Sequence, residues 1–145
     1  MKPVAKLSCC IGTTDASIPL GVELWLNNSK IFDCDHVKEI HKINHALEDH
    51  EGEHQLCFVL KNKLPSHTEV DQQGNIVKDA RLLVSDLQFE EIELNQVFVE
   101  HAVYEHDFNG TGSLTKEKFY GEMGCNGVVT LKFNTPIYLW LLENM

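Results

Sequence analysis

The sequence predicts an all-β protein, one antiparallel β-sandwich of jelly-roll-like form with about eight to ten strands. Three observations carry this. Val22 to Phe32 reads Val-Glu-Leu-Trp-Leu-Asn-Asn-Ser-Lys-Ile-Phe, two alternating apolar runs joined by an Asn-Asn-Ser turn, which is the pattern of a β-hairpin. Similar short apolar runs recur along the chain with turn residues between them, and no repeat, low-complexity tract or linker separates them. The 145 residues, 43% hydrophobic and 23% charged, suit a globular chain around a single core, so residues 1–145 read as one domain.

Taken in order, Ala5, Leu7, Cys9 and Ile11 alternate with Lys6, Ser8 and Cys10, giving a first strand that ends at Gly12-Thr13-Thr14-Asp15. In the following hairpin Val22, Leu24 and Leu26 share one face. Trp25 takes the other, as part of a two-sided core or as an exposed aromatic. Asp35 to His50 carries two patterns: Val37, Ile40, Asn44 and Leu47 fit helical spacing with Asp35 as N-cap, whereas Ile43, His45 and Leu47 fit a strand. Strand is favoured for the second half, because Gly52 and then His54 to Lys63 supply an antiparallel partner. Within that partner Leu56-Cys57-Phe58-Val59-Leu60 is apolar on both faces, as expected near the middle of a sandwich. Leu64 to Asp79 is polar, with Pro65 and a Gly74-Asn75 turn, and reads as a long loop carrying a small hairpin around Val70 and Ile76. Ala80 to Phe89, Ile92 to Leu94, Val97 to Tyr104, Val128 to Phe133 and Ile137 to Leu142 complete the predicted strands.

The bulk properties remove several partners. A formal charge of −10 repels phosphate backbones, and Lys and Arg form no cluster, so no nucleic acid is expected. Lys6 and Ser8 interrupt the start of the chain where a signal peptide needs an apolar stretch, so nothing marks the chain for secretion and a cytoplasmic location is expected. The longest apolar run, Ile137 to Leu142, falls far short of the roughly 20 residues that span a bilayer, so no membrane span is expected. Five cysteines without a CxxC pair read as free thiols in a reducing compartment. Cys9 and Cys10 point to opposite faces of their strand, one of them into the core.

Three motifs offer chemistry. His50-Glu51-Gly52-Glu53-His54 matches HExxH, in which two histidines one helical turn apart bind zinc while the glutamate acts as base. That chemistry needs a helix. Gly52 at the centre costs about 1 kcal/mol of helix stability, and strand follows, so the segment reads as a charged turn and no enzyme is expected. Asp107 to Lys118 resembles a calcium-binding EF-hand loop through Asp107, Asn109, Thr111, Gly112 and Leu114. Lys118, however, takes the last ligand position, where a bidentate glutamate is needed. Asn62, Asp71, Asn75 and Asp79 surround the long loop, with Asp86 on the strand beyond. Ca²⁺ collects such oxygens, which makes Asp71, Asn75 and Asp79 candidate metal ligands, and the same residue types also simply make turns. No HxH pair, Gly-rich phosphate loop or G-x-S-x-G elbow is present, so no catalytic residue is assigned.

Val22-Glu23-Leu24-Trp25-Leu26-Asn27-Asn28, then Gly52-Glu53-His54-Gln55-Leu56-Cys57-Phe58-Val59-Leu60-Lys61-Asn62, then Asp79-Ala80-Arg81-Leu82-Leu83-Val84-Ser85-Asp86 resemble the calcium-dependent xylan-binding type of carbohydrate-binding module. In that family a Gly-x-His strand ends in Asn-Asp, and Asp-Arg opens another strand after a loop. Asn62 and Asp79 match the loop ends, and Lys63 stands where the family places the aspartate. The resemblance implies a β-sandwich that binds sugar hydroxyls through a loop-held calcium ion. The whole chain also resembles small proteins of marine tailed phages, which implies a virion or host-surface role. The expectation is therefore a non-enzymatic binding module with a glycan ligand at loop 62–79, Ca²⁺ assisting, and Trp25, Asn62, Asp79 and Tyr104 as ligand contacts. The alternative is a structural or assembly protein, a homo-oligomer formed through strand edges. Ile137 to Leu142 would then be either the interface or a central core strand.

Overall fold

The alternation that opens the chain buries Ala5, Leu7, Cys9 and Ile11 along β1 (Val4–Thr13), and Cys10 faces the other way. The computed structural model describes residues 4–48, 51–108, 110 and 112–144. β1 pairs antiparallel with β4 (His41–Glu48), from Val4 opposite Glu48 to Ile11 opposite His41. On its other side lies β8 (Leu82–Phe89), with a bulge between Ser8 and Cys10. β9 (Ile92–Glu93) and β12 (Glu122–Met123) both pair with β8 and complete a five-stranded sheet.

The second sheet has six strands in the order β11 (Thr115–Lys118), β10 (Val103–His106), β13 (Gly127–Thr135), β5 (Gly52–Lys61), β2 (Gly21–Leu26) and β3 (Ser29–Cys34). β6 (Thr68–Val70) and β7 (Ile76–Asp79) form a separate hairpin. The described residues thus hold thirteen strands, more than expected, because the short strands β11 and β12, which the sequence pattern does not predict, add one to each main sheet. One core lies between those sheets. Leu24, Leu56, Phe58 and Leu131 meet Leu7, Leu82 and Phe89 there, with the Phe89 and Phe133 rings 4.8 Å apart across the gap. Each fully buried side chain of this size contributes about 1.5–3 kcal/mol.

Three expectations are corrected. Val97 to His101 lies in helix α1 (Asn95–His101), and only Val103–His106 is strand. Leu94, Val97, Phe98 and Ala102 are all buried at the i, i+3, i+4, i+8 positions that share one helix face, and this packing outweighs the β preference of valine. Ile137 to Leu142 is also helical, within α2 (Ile137–Asn144), which buries Ile137, Trp140 and Leu141 and follows Pro136. It is therefore neither a core strand nor a sheet edge. β4 forms as expected, yet its partner is β1; β5 is enclosed by β13 and β2, leaving no edge free for it. No helix among the described residues is long and apolar enough to cross a membrane.

Candidate functional site

Strand alternation turns one set of β2, β5 and β13 residues away from the core: Glu23 and Trp25; Glu53, Gln55 and Cys57; Thr130, Lys132 and Asn134. Register then aligns them. Trp25 lies opposite Cys57, Cys57 opposite Thr130, and Thr130 opposite Val103, while Gln55 faces Lys132. Gln55 and Lys132 link two depressions on this face. One, of about 550 Å³, is bounded by Asn27, Glu53, His54, Asn134 and Trp140. The other, of about 380 Å³, is bounded by His101, Val103, Glu105, Lys116 and Thr130. A third, of about 680 Å³, shares Glu53, Asn134 and Trp140 with the first and runs on between the strand ends and α2. Through these shared residues the three depressions adjoin along one furrow, whose floor in the first also includes Phe133.

Its walls are held by a local network. Asn27 Oδ1 accepts from the Gln55 backbone N–H at 3.0 Å, and Asn27 Nδ2 donates to His54 Nδ1 at 3.2 Å. With Nδ1 accepting, Nε2 carries the hydrogen and donates to Thr135 Oγ1 at 2.9 Å, while the imidazole stacks on Phe133 with centroids 5.2 Å apart. Asn27 itself has φ 56°, the left-handed conformation that asparagine tolerates in a tight hairpin turn.

Trp25 is half-buried, its indole N–H donating to Glu23 Oε1 at 2.9 Å. The other Glu23 oxygen accepts from Lys61, which also meets Asp33 and Asp35 at 2.9 and 3.2 Å. The Trp25 donor and then the Lys61 donor hold the Glu23 carboxyl below its usual range, so it stays ionised beside the indole. The Lys30 ammonium lies 5.7 Å from the indole centroid.

Loop 62–79 is organised differently from the expectation. Asp71 and Asn75 sit at the hairpin tip, where Asp71 accepts from the backbone N–H groups of Gln73 and Asn75, each at 2.9 Å. Asp79 is at the hairpin root, opposite Thr68, on the far side of the Val70–Ile76 pair. The three candidate metal ligands therefore do not converge. Asp79 instead receives the Lys63 ammonium, which also donates to the Gly124 carbonyl, and Thr68 Oγ1 donates to the same Asp79 oxygen at 2.7 Å. These residues do not fit calcium. Asn62 is exposed with φ 71° and serves the chain reversal there, its amide lying over Gly21 and outside the furrow.

Tyr104 is corrected as a stacking platform. It is 4% exposed, packs on His106, donates its hydroxyl hydrogen to the Cys125 carbonyl and accepts from the Cys125 N–H at 2.9 Å. Burial pushes its phenol pKa up, so it stays neutral. Of the HExxH residues, His50 lies outside the described residues and His54 is on strand β5. In the EF-hand-like loop Asn109 and Thr111 also lie outside them, while Asp107 Oδ1 accepts from Gly110 N–H at 2.9 Å. Among the described residues no three His, Cys, Asp or Glu side chains gather around a metal-sized point.

Gln55, Lys132 and Asn134 are the furrow residues that motif reading passed over; their signal is their outward parity within apolar strands. Compared with known proteins, the chain matches no family, no curated protein and no solved structure.

Proposed function

We propose that the protein is a non-enzymatic carbohydrate-binding module whose ligand lies along the outer furrow of the six-stranded sheet. The observation that carries this reading is the row of polar side chains that strand register aligns across the adjoining depressions. Sugar hydroxyls donate and accept at once. The Gln55 and Asn134 amides can answer both roles, Glu53 accepts and Lys132 donates. The C–H face of a pyranose packs on an aromatic ring, and Trp25 offers a half-exposed indole one residue row from Gln55. Sheet positions move little on binding, so the ordering cost falls mainly on the ligand. This reading shifts the site from loop 62–79 to the sheet face and uses no calcium.

A glycan array, followed by calorimetry with the best-bound oligosaccharide in CaCl₂ and in EDTA, tests it. Trp25→Ala is expected to weaken binding about tenfold, the equivalent of roughly 1.4 kcal/mol. Retention of no glycan in either condition would reject the reading.

A second reading, an assembly protein that self-associates, is favoured by α2. Its outward residues Tyr138, Leu139 and Leu142 are 53%, 58% and 77% exposed, an apolar face on a charged molecule. Light scattering on the full chain is expected to show a dimer that Leu142→Glu dissociates. A wild type that is monomeric at every concentration removes this alternative.

A further inference from the structure

We infer that the Lys63 ammonium is the resident cation at the root of the β6–β7 hairpin: a side chain of the chain itself holds the place where the resemblance to calcium-dependent modules implies a divalent ion. The inference is independent of any glycan on the sheet face.

The local chain path delivers the charge there. Lys61 points outward to Glu23, Asp33 and Asp35, and Asn62 at φ 71° reverses the path, so Lys63 turns inward. Asn126 then clamps residue 63 from both sides, accepting from the Lys63 N–H at 2.9 Å and donating to the Lys63 carbonyl at 2.7 Å. The Lys63 side chain is 0% exposed, and its ammonium meets one Asp79 oxygen and the Gly124 carbonyl. Carboxylate and carbonyl oxygens are the donors a hard cation takes. The charge count, however, matches a univalent cation, with the single Asp79 carboxylate against a single ammonium. A divalent ion on one carboxylate would leave an unbalanced charge away from water. Calcium also gathers about six to eight oxygens, and Asp71 and Asn75 are held at the other end of the hairpin.

The test uses the full chain at matched ionic strength. Wild-type thermal unfolding curves in millimolar CaCl₂ and in EDTA are expected to superimpose. A midpoint raised by roughly 5 °C or more in calcium would overturn the inference. Lys63→Ala opens the space beside Asp79; its midpoint is expected to fall and to recover in part with ethylammonium and not with CaCl₂ at the same ionic strength. Tetramethylammonium, which has no N–H to donate, is expected to give no recovery. Lys63→Met fills the space without charge and is expected to respond to none of these ions. Should Lys63→Ala be unfolded at the outset, circular dichroism under the same additives reads cation-induced refolding. No recovery with ethylammonium, equal recovery with tetramethylammonium or with CaCl₂, or a cation response in Lys63→Met would each overturn the proposal.

Discussion

Replacing Asp79 with alanine is expected to remove about 3 kcal/mol of folding stability, because it strands a desolvated ammonium. The Lys63 side chain is fully buried, and its loss of Asp79 leaves it the Gly124 carbonyl as a neutral acceptor. Breaking a buried pair costs about 3–5 kcal/mol; Asp79 keeps 21% of its surface, so water relieves part of the penalty and the low end applies. The double replacement Lys63→Met with Asp79→Leu is expected to return most of the loss, since neither charge then needs solvation. Urea unfolding of wild type, single and double variants measures this. Equal losses in single and double variants would show that the stranded charge is not the cause.

The same substitution is expected to act first on the hairpin. β6 and β7 expose Val70, Ile76 and Val77 at 58%, 66% and 66%, so this two-stranded unit gains little from burial. It stands because its root is tied down: Thr68 and Lys63 meet on Asp79, Lys78 reaches Asp15 at 3.0 Å, and the Ala80 N–H donates to the His67 carbonyl. Hydrogen exchange in Asp79→Ala should therefore lose protection over residues 68–79 before β5 or β13 changes.

Period-two alternation made most of the strands legible. β1, the β2–β3 hairpin, the second half of Asp35 to His50 and the Gly74-Asn75 turn each follow a local pattern that packing then reinforces. The two helices were harder to read because their composition argues against their geometry. Val97, Phe98, Val99 and the run from Ile137 to Leu142 look like strand by residue type, yet the buried subsets Leu94, Val97, Phe98, Ala102 and Ile137, Trp140, Leu141 keep helical spacing. In Ile137 to Leu142 every residue is apolar, so period alone could not say which were buried; Pro136 at the helix start was the remaining signal. Strand partners were less legible still. Which edge β4 joins depends on the other strands competing for β5, and that is a long-range fact.

The site divides in the same way. The Trp25 position on the outer face follows from parity in its strand, whereas Tyr104 occupies the opposite parity and is buried with His106. Asn62, Asp71, Asn75 and Asp79 look alike in sequence. The fold gives them separate tasks, a chain reversal, a hairpin tip and an ion pair, because a hairpin holds its tip away from its root. Lys63, one residue past Asn62, is turned inward, and its buried ammonium pairs with Asp79.

Truncating Phe133 to alanine carries the second large effect, an expected loss of about 3–5 kcal/mol. Its ring is 2% exposed and joins three parts of the molecule, lying 4.8 Å from Phe89 of the opposite sheet, 5.2 Å from His54 and 6.2 Å from Trp140 of α2. Rigid strands on both sides limit collapse into the space left behind, which places the loss well above simple transfer. Trp140 is 6% exposed and Trp25 half-exposed, so wild-type emission combines a blue and a redder component. Phe133→Ala is expected to shift the blue component red as α2 loosens, and Phe133→Leu to keep it within about 1.5 kcal/mol of wild-type stability. Because Trp140 and Asn134 wall the furrow, the alanine variant should also weaken glycan binding while Trp25 stays in place. An unchanged Trp140 spectrum alongside full destabilisation would mean that contacts elsewhere seat α2, and the link from core to furrow would fail at that step.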